Sequence, residues 1–209
     1  CSTDNIVQAP DFTNLLEVSL LNEYARYRDC VAVIPNSKMV GEQNANQYWR
    51  ENYISILTSI IKTLQAKRHE VFLLNHEGKK DEVLCQTINA ELCNKVVIVT
   101  PPSAKDVKAI IGNAKFTISS RFHGCVSSLS QGVPCIATSW SHKYEELFSE
   151  YGQAHCILDE HHDGANQELF LDDFVKEIPK SRDILMKKAE IYKSQSRQMW
   201  QLLKEKTVC

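Results

Sequence analysis

These 209 residues contain no CxxC pair, no glycine-rich phosphate loop, no long apolar run and no excess of one charge. The eight cysteines stand at positions 1, 30, 85, 93, 125, 135, 156 and 209, a spacing that suits neither a disulfide framework nor a zinc cluster. Most lie inside apolar segments and read as buried free thiols of a reducing compartment. Lys and Arg total 24 against 26 Asp and Glu. They are scattered and leave a net charge of −2, so there is no basic field for a nucleic-acid backbone and nucleic acid is excluded as a main partner. No stretch approaches the roughly 18 apolar residues of a membrane helix. Asp4, Asp11, Glu17 and Glu23 interrupt the region where a signal peptide needs an apolar run. Without a glycine-rich loop, a nucleotide or dinucleotide site of the usual kind is disfavoured. What remains, 43% hydrophobic and 24% charged residues, is the composition of a soluble cytoplasmic chain with enough length for one substantial core.

From position 30 onward, short β-branched runs alternate with helical stretches, which predicts a parallel sheet covered by helices. Strands are expected at Cys30–Ile34, Val71–Leu74, Val96–Val99, Phe116–Ser119 and Pro134–Thr138, with a sixth at His155–Leu158. Tyr53, Leu57, Ile60, Ile61 and Leu64 mark one face of a helix near 47–67. Further helices are expected near 81–92, behind a Ser103-x-x-Asp106 capping box, near 122–130 and near 143–151. Outside the alternation, a helix is expected over 13–27, a polar surface loop over Asp159–Asn166, and one amphipathic helix from 181 onward with Ile184, Leu185, Tyr192, Met199 and Leu203 along its stripe.

Ligands of an open parallel sheet bind beyond the carboxyl ends of its strands, where the strand order reverses. Those ends carry Pro35-Asn36-Ser37, Asn75-His76-Glu77, Ser119-Ser120-Arg121-Phe122-His123 and Ser139-Trp140-Ser141-His142-Lys143. The doubly wound order makes strands one and four neighbours at the reversal and brings Asn36 to the 119–123 turn. That turn opens a helix, whose N-terminal N–H groups and partial positive charge favour anions. Arg121 can grip a carboxylate or phosphate bidentately, or it can pair structurally with Glu77. Ser120 can cap the helix or donate to an anion, and His123 can move a proton near neutral pH. His76, Glu77 and Asp81 read as a solvated helix start with Asp81 as its cap, not as a metal or acid–base cluster. Lys143 is either an anion contact or a solvated first-turn lysine, and Trp140 either walls a pocket or covers the sheet edge. Cys125 reads as packed, not nucleophilic. No metal is required by this residue set.

The run from Thr117 to Ala137, with Arg121-Phe122-His123 and Gly132-Val133-Pro134, followed by Trp140 to Tyr144, resembles the signature of the polysaccharide pyruvyl transferase family. Val33-Ile34-Pro35-Asn36 and Leu74-Asn75-His76-Glu77 with Asp81 add to the resemblance, and Ala9-Pro10-Asp11-Phe12 resembles the segment linking the family's two halves. The similarity spans about residues 9–152. It implies an α/β fold: a Rossmann-like parallel sheet flanked by helices, one half of a B-type glycosyltransferase-like architecture. Residues 1–29 would be linker and helix from the interdomain region, 30–180 the donor-binding domain and 181–209 a C-terminal amphipathic helix, with the N-terminal half-domain as a partner outside this sequence. The implied reaction moves pyruvate from phosphoenolpyruvate to a sugar or lipid-linked oligosaccharide of a cell-surface polysaccharide as a ketal, with no cofactor and no metal. Arg121 and His123 would be catalytic, while Ser119, Ser120, Asn36, His76 and Lys143 would contact the donor. The alternatives are a nucleotide-sugar glycosyltransferase half and a non-catalytic binding module of the same fold.

Overall fold

A computed structural model describes residues 9–138, 141–162 and 164–207. Strands β1 (Val31–Ile34), β2 (Val71–Leu74), β3 (Val97–Val99), β4 (Phe116–Ser119), β5 (Cys135–Thr138) and β6 (Ile157–Leu158) form one parallel sheet in the order β3-β2-β1-β4-β5-β6. The helices are α1 (Gln47–Ala66), α2 (Gly78–Glu91), α3 (Ala104–Gly112), α4 (Phe122–Leu129), α5 (His142–Glu150) and α6 (Gly164–Thr207). Successive strand residues face opposite sides. Val31 and Val33 join a core with α1, α2, α5 and α6, whereas Ala32 and Ile34 join a second core with Tyr27 and the α3 residues Val107, Ile110 and Ile111. All four β1 residues are therefore buried, as the unbroken apolar run requires. The order reverses between β1 and β4, where Ile34 pairs with Ser119. In open parallel sheets it is beyond strand ends at such a reversal that ligands bind.

Three local expectations are corrected. Residues 13–27 are not one helix: two 3₁₀ turns, Phe12–Leu15 and Asn22–Tyr27, flank extended chain. Tertiary bonds set that course, since Asn14 Nδ2 donates to Ser196 Oγ at 3.0 Å and Lys108 Nζ donates to the Thr13 carbonyl. Asp81 does not cap α2, which already starts at Gly78, where φ is +71°. The last helix begins at Gly164, not 181, so it takes in the end of the expected 159–166 loop. Its buried stripe of Leu171, Phe174, Ile178, Ser181, Leu185 and Ala189 runs straight past Pro179. An internal proline costs about 3 kcal/mol, and burying Leu171, Phe174, Ile178 and Leu185 at roughly 1.5–3 kcal/mol each outweighs it.

The six described cysteines are free thiols, five of them buried. Cys125 is among these five, and burial raises its thiol well above the ordinary value. Ser139 and Trp140 lie outside the described residues.

Candidate functional site

The turn from β4 into α4 is shaped by Ser119, Ser120 and Gly124. Ser119 Oγ accepts from the Arg121 N–H at 3.2 Å and donates to the Arg121 carbonyl at 3.0 Å. A Cβ at Gly124 would stand 2.5 Å from that oxygen, so only glycine lets the first turn of α4 lie this close to the strand end. Ser120 locks the turn into the frame. Its hydroxyl bonds with those of Tyr53 and Thr138, while its carbonyl accepts from Asn36 Nδ2 at 2.8 Å and Tyr144 Oη at 2.7 Å. Asn36 Oδ1 accepts in turn from the Lys38 N–H at 3.0 Å.

Asn36, Ser119 and Ser120 are all buried with their polar atoms engaged internally. They hold the turn in place through these internal bonds. The expected juxtaposition of Asn36 with the 119–123 turn is present, because it follows from the β1–β4 pairing.

Arg121 leaves this frame towards α2. Its Nε donates to Asp81 Oδ2 at 2.7 Å, Nη2 to Asp81 Oδ1, and Nη1 to Glu77. Asp81 is fully buried and also accepts from the Ser37 N–H at 3.0 Å, whereas the Glu77 side chain is 69% exposed. The ion-pair alternative is thus realised, chiefly with Asp81, a residue the sequence pattern suggested only as a cap. Three of the five guanidinium N–H groups are engaged, which leaves two for a ligand oxygen.

His76 sits beside this pair. Burial, followed by the Arg121 charge, pushes its imidazole down to about 4 against the opposing pull of Asp81 and Glu77. It is neutral at pH 7, and its buried Nδ1 has no partner among the described residues. His123, one turn into α4, is exposed, with Nε2 3.8 Å from Asp11 Oδ2. Asp11 is itself held by the N–H and hydroxyl of Thr13, at 2.9 and 2.6 Å. Sequence reasoning passed over Asp11 as a site residue because its neighbour is 112 positions away; the only signal was its place in the 9–12 motif.

Lys143 is exposed, with Nζ 4.6 Å from the centre of the Phe122 ring. Together with Phe122 it lines a separate cleft against α6. His162 Nδ1 meets Asp159 at 2.7 Å in an exposed loop, and no group of three or more His, Cys, Asp or Glu among the described residues is placed to hold a metal. No helix among them is long and apolar enough to cross a membrane.

A six-stranded parallel sheet whose order reverses between β1 and β4 defines the class: this is the fold of one half of a GT-B, glycosyltransferase-like protein. An O-GlcNAc transferase variant of Thermobaculum terrenum superposes with a TM-score of 0.55 at 12% identity, over 87% of this chain and 35% of that one. A UDP-N-acetylglucosamine 2-epimerase structure from Listeria monocytogenes gives 0.58 at 10% identity, over 93% of this chain and 50% of that one. At such identities the likeness is of fold alone, and the chain spans half or less of those molecules. A search of curated proteins returns no match. Residues 1–142 match the family model for polysaccharide pyruvyl transferase, and the chain belongs to that family.

Proposed function

We propose that the chain is the donor-binding half of a pyruvyl transferase that uses phosphoenolpyruvate. The observation that carries this reading is Arg121, fixed by Asp81 with two N–H groups to spare, beside the neutral imidazole of His76 and the exposed imidazole of His123. Phosphoenolpyruvate offers a carboxylate, a phosphate and an enol methylene, and such a cluster answers to all three. Arg121 takes an anionic oxygen on its two remaining N–H groups. The unpartnered His76 Nδ1 supplies a neutral hydrogen bond. His123 either protonates the methylene or receives the proton of an attacking hydroxyl.

Two sugar hydroxyls complete the chemistry. The first forms its C–O bond at the central carbon as the methylene gains a proton; the second forms its bond as the C–O bond to phosphate breaks. Of the two hydroxyl protons, one ends on the new methyl group and the other on phosphate.

Calorimetric titration with phosphoenolpyruvate, with UDP-N-acetylglucosamine as the comparison, tests the reading. Binding of phosphoenolpyruvate that Arg121→Ala abolishes is expected. Binding of the nucleotide sugar alone would replace the proposal with a glycosyltransferase half, and binding of neither would leave a non-catalytic module.

A further inference from the structure

We infer that the pocket at the amino-terminal ends of β1 and β2 binds an organic phosphate monoester, its anion held by Arg26, Arg68 and His69 and its apolar body seated against Val71, Phe72 and Val97. The pocket has a volume of about 550 Å³, within the ordinary range of small-molecule sites. It lies at the opposite end of the sheet from Arg121, since Val71 opens β2 and Cys30 precedes β1, whereas Arg121 follows β4.

Neither guanidinium in the lining has a carboxylate partner among the described residues. Arg26 lies over the Tyr27 ring, 4.7 Å from its centre, and donates to the Tyr27 hydroxyl, while the Arg68 side chain bonds to nothing. The neighbouring Lys67, by contrast, is paired with Glu168 and Asp172, and Arg121 at the other edge with Asp81 and Glu77. Glu70 is the one acid of this lining, and its carboxylate accepts from the Cys30 thiol at 3.4 Å.

His69 adds a neutral donor. Lys115 Nζ stands 3.3 Å from its Nδ1. An ammonium only donates, so Nδ1 accepts and the ring proton sits on Nε2, which has no partner among the described residues. Burial, followed by the charges of Lys115 and Lys67, lowers the imidazole from its ordinary value and keeps it in this form at pH 7.

The backbone at Arg68 adds a separate sign. As α1 closes, the His69 N–H bonds to the Leu64 carbonyl at 3.0 Å and Arg68 takes φ +64°, the left-handed position that glycine or asparagine usually fills. An arginine stands where the backbone favours glycine, and its side chain lines the pocket.

Two guanidinium groups and an imidazole N–H suit the three terminal oxygens of a phosphate monoester. The wall beside them is apolar: the Tyr27 and Phe72 rings pack 4.9 Å apart, and Val97 at the start of β3 is 47% exposed. A phosphate that carries an apolar body covers this surface, and inorganic phosphate does not.

The test is amide chemical-shift mapping on the isotopically labelled 209-residue chain, titrated separately with phenyl phosphate and with inorganic phosphate. Phenyl phosphate is expected to shift Arg26–Cys30, Arg68–Phe72 and Val97, and to bind about 5-fold more tightly than inorganic phosphate. Arg68→Gly suits the left-handed backbone, so it should keep or raise the urea unfolding midpoint while weakening phenyl phosphate by about 10-fold or more. Val97→Ser should weaken phenyl phosphate about 2- to 5-fold and leave inorganic phosphate unchanged. Shifts confined to residues 77–81 and 119–123, no shifts at millimolar phenyl phosphate, or full affinity in Arg68→Gly would overturn the site. Equal affinities for the two phosphates would overturn the apolar seat and with it the ligand class.

Discussion

Asp81 and Arg121, forty positions apart and both buried, face each other through two parallel hydrogen bonds that join α2 to the β4–α4 turn. Removing one member of a buried pair strands the other charge, at a cost of about 3–5 kcal/mol. Asp81→Ala should therefore lose that much stability in urea unfolding. Glu77→Gln, at an exposed position, should change it by less than about 1 kcal/mol. Equal, small effects would mean that Asp81 does not hold the arginine.

Glu77 sets a negative charge beside the guanidinium that an incoming anion approaches. Glu77→Gln should consequently bind phosphoenolpyruvate more tightly, by about 5-fold for roughly 1 kcal/mol of relieved repulsion, and the gain should shrink as salt is added. Weaker binding in this variant would show that Glu77 contacts the donor instead.

His123 is exposed and contributes little to the core. In the complete enzyme His123→Ala should slow turnover by about 10²- to 10⁴-fold, while unfolding stability stays within about 0.5 kcal/mol. Asp11→Asn removes the carboxylate that stands 3.8 Å from the imidazole, so turnover should fall while phosphoenolpyruvate binding is kept. Unchanged turnover would confine Asp11 to anchoring residues 9–16.

His76 carries a pH signature of its own. Its value falls from 6.5 to about 4 in the fold, so between those values the unfolded chain binds more protons than the folded one, and stability drops as pH falls through the window. At pH 7 and above this contribution is fully present. Chemical denaturation from pH 7 to pH 4 should show a loss that His76→Gln lessens, by an amount on the order of 2 kcal/mol. Parallel curves for the two proteins would mean that His76 is not desolvated.

Gly124→Ala would set a methyl carbon 2.5 Å from Ser119 Oγ. Relief requires the turn to shift, at about 1–3 kcal/mol, and phosphoenolpyruvate binding should weaken with it, because Arg121 departs from the same turn. A crystal structure of the variant with Arg121 unmoved would contradict this.

Much of the sheet could be read from the chain alone, since its strands are short apolar runs, those in the middle of the sheet buried on both faces, and carry their own pattern. The turn at 119–123 was legible for the same reason: it follows such a run and opens a helix. The partner of Arg121 was not. An aspartate in a first helical turn looks the same whether it caps a helix or faces an arginine on another strand, and Glu77 was the nearer candidate in the pattern.

Composition and periodicity settle what is local: the α/β class, the strand positions and the residue types at each strand end. Packing decides which of those ends meet and which polar groups remain free. Ser119, Ser120 and Asn36 sit at the ligand-binding edge by pattern, yet the parallel pairing of β1 with β4 and the approach of α1 and α5 turn them inward as a frame. Asp11 reaches His123 only because residues 9–16 dock on Ser196 and Lys108, far along the chain. Burial and hydrogen-bond satisfaction are properties of the assembled neighbourhood, and they separate the groups that hold this site from those that can touch a ligand.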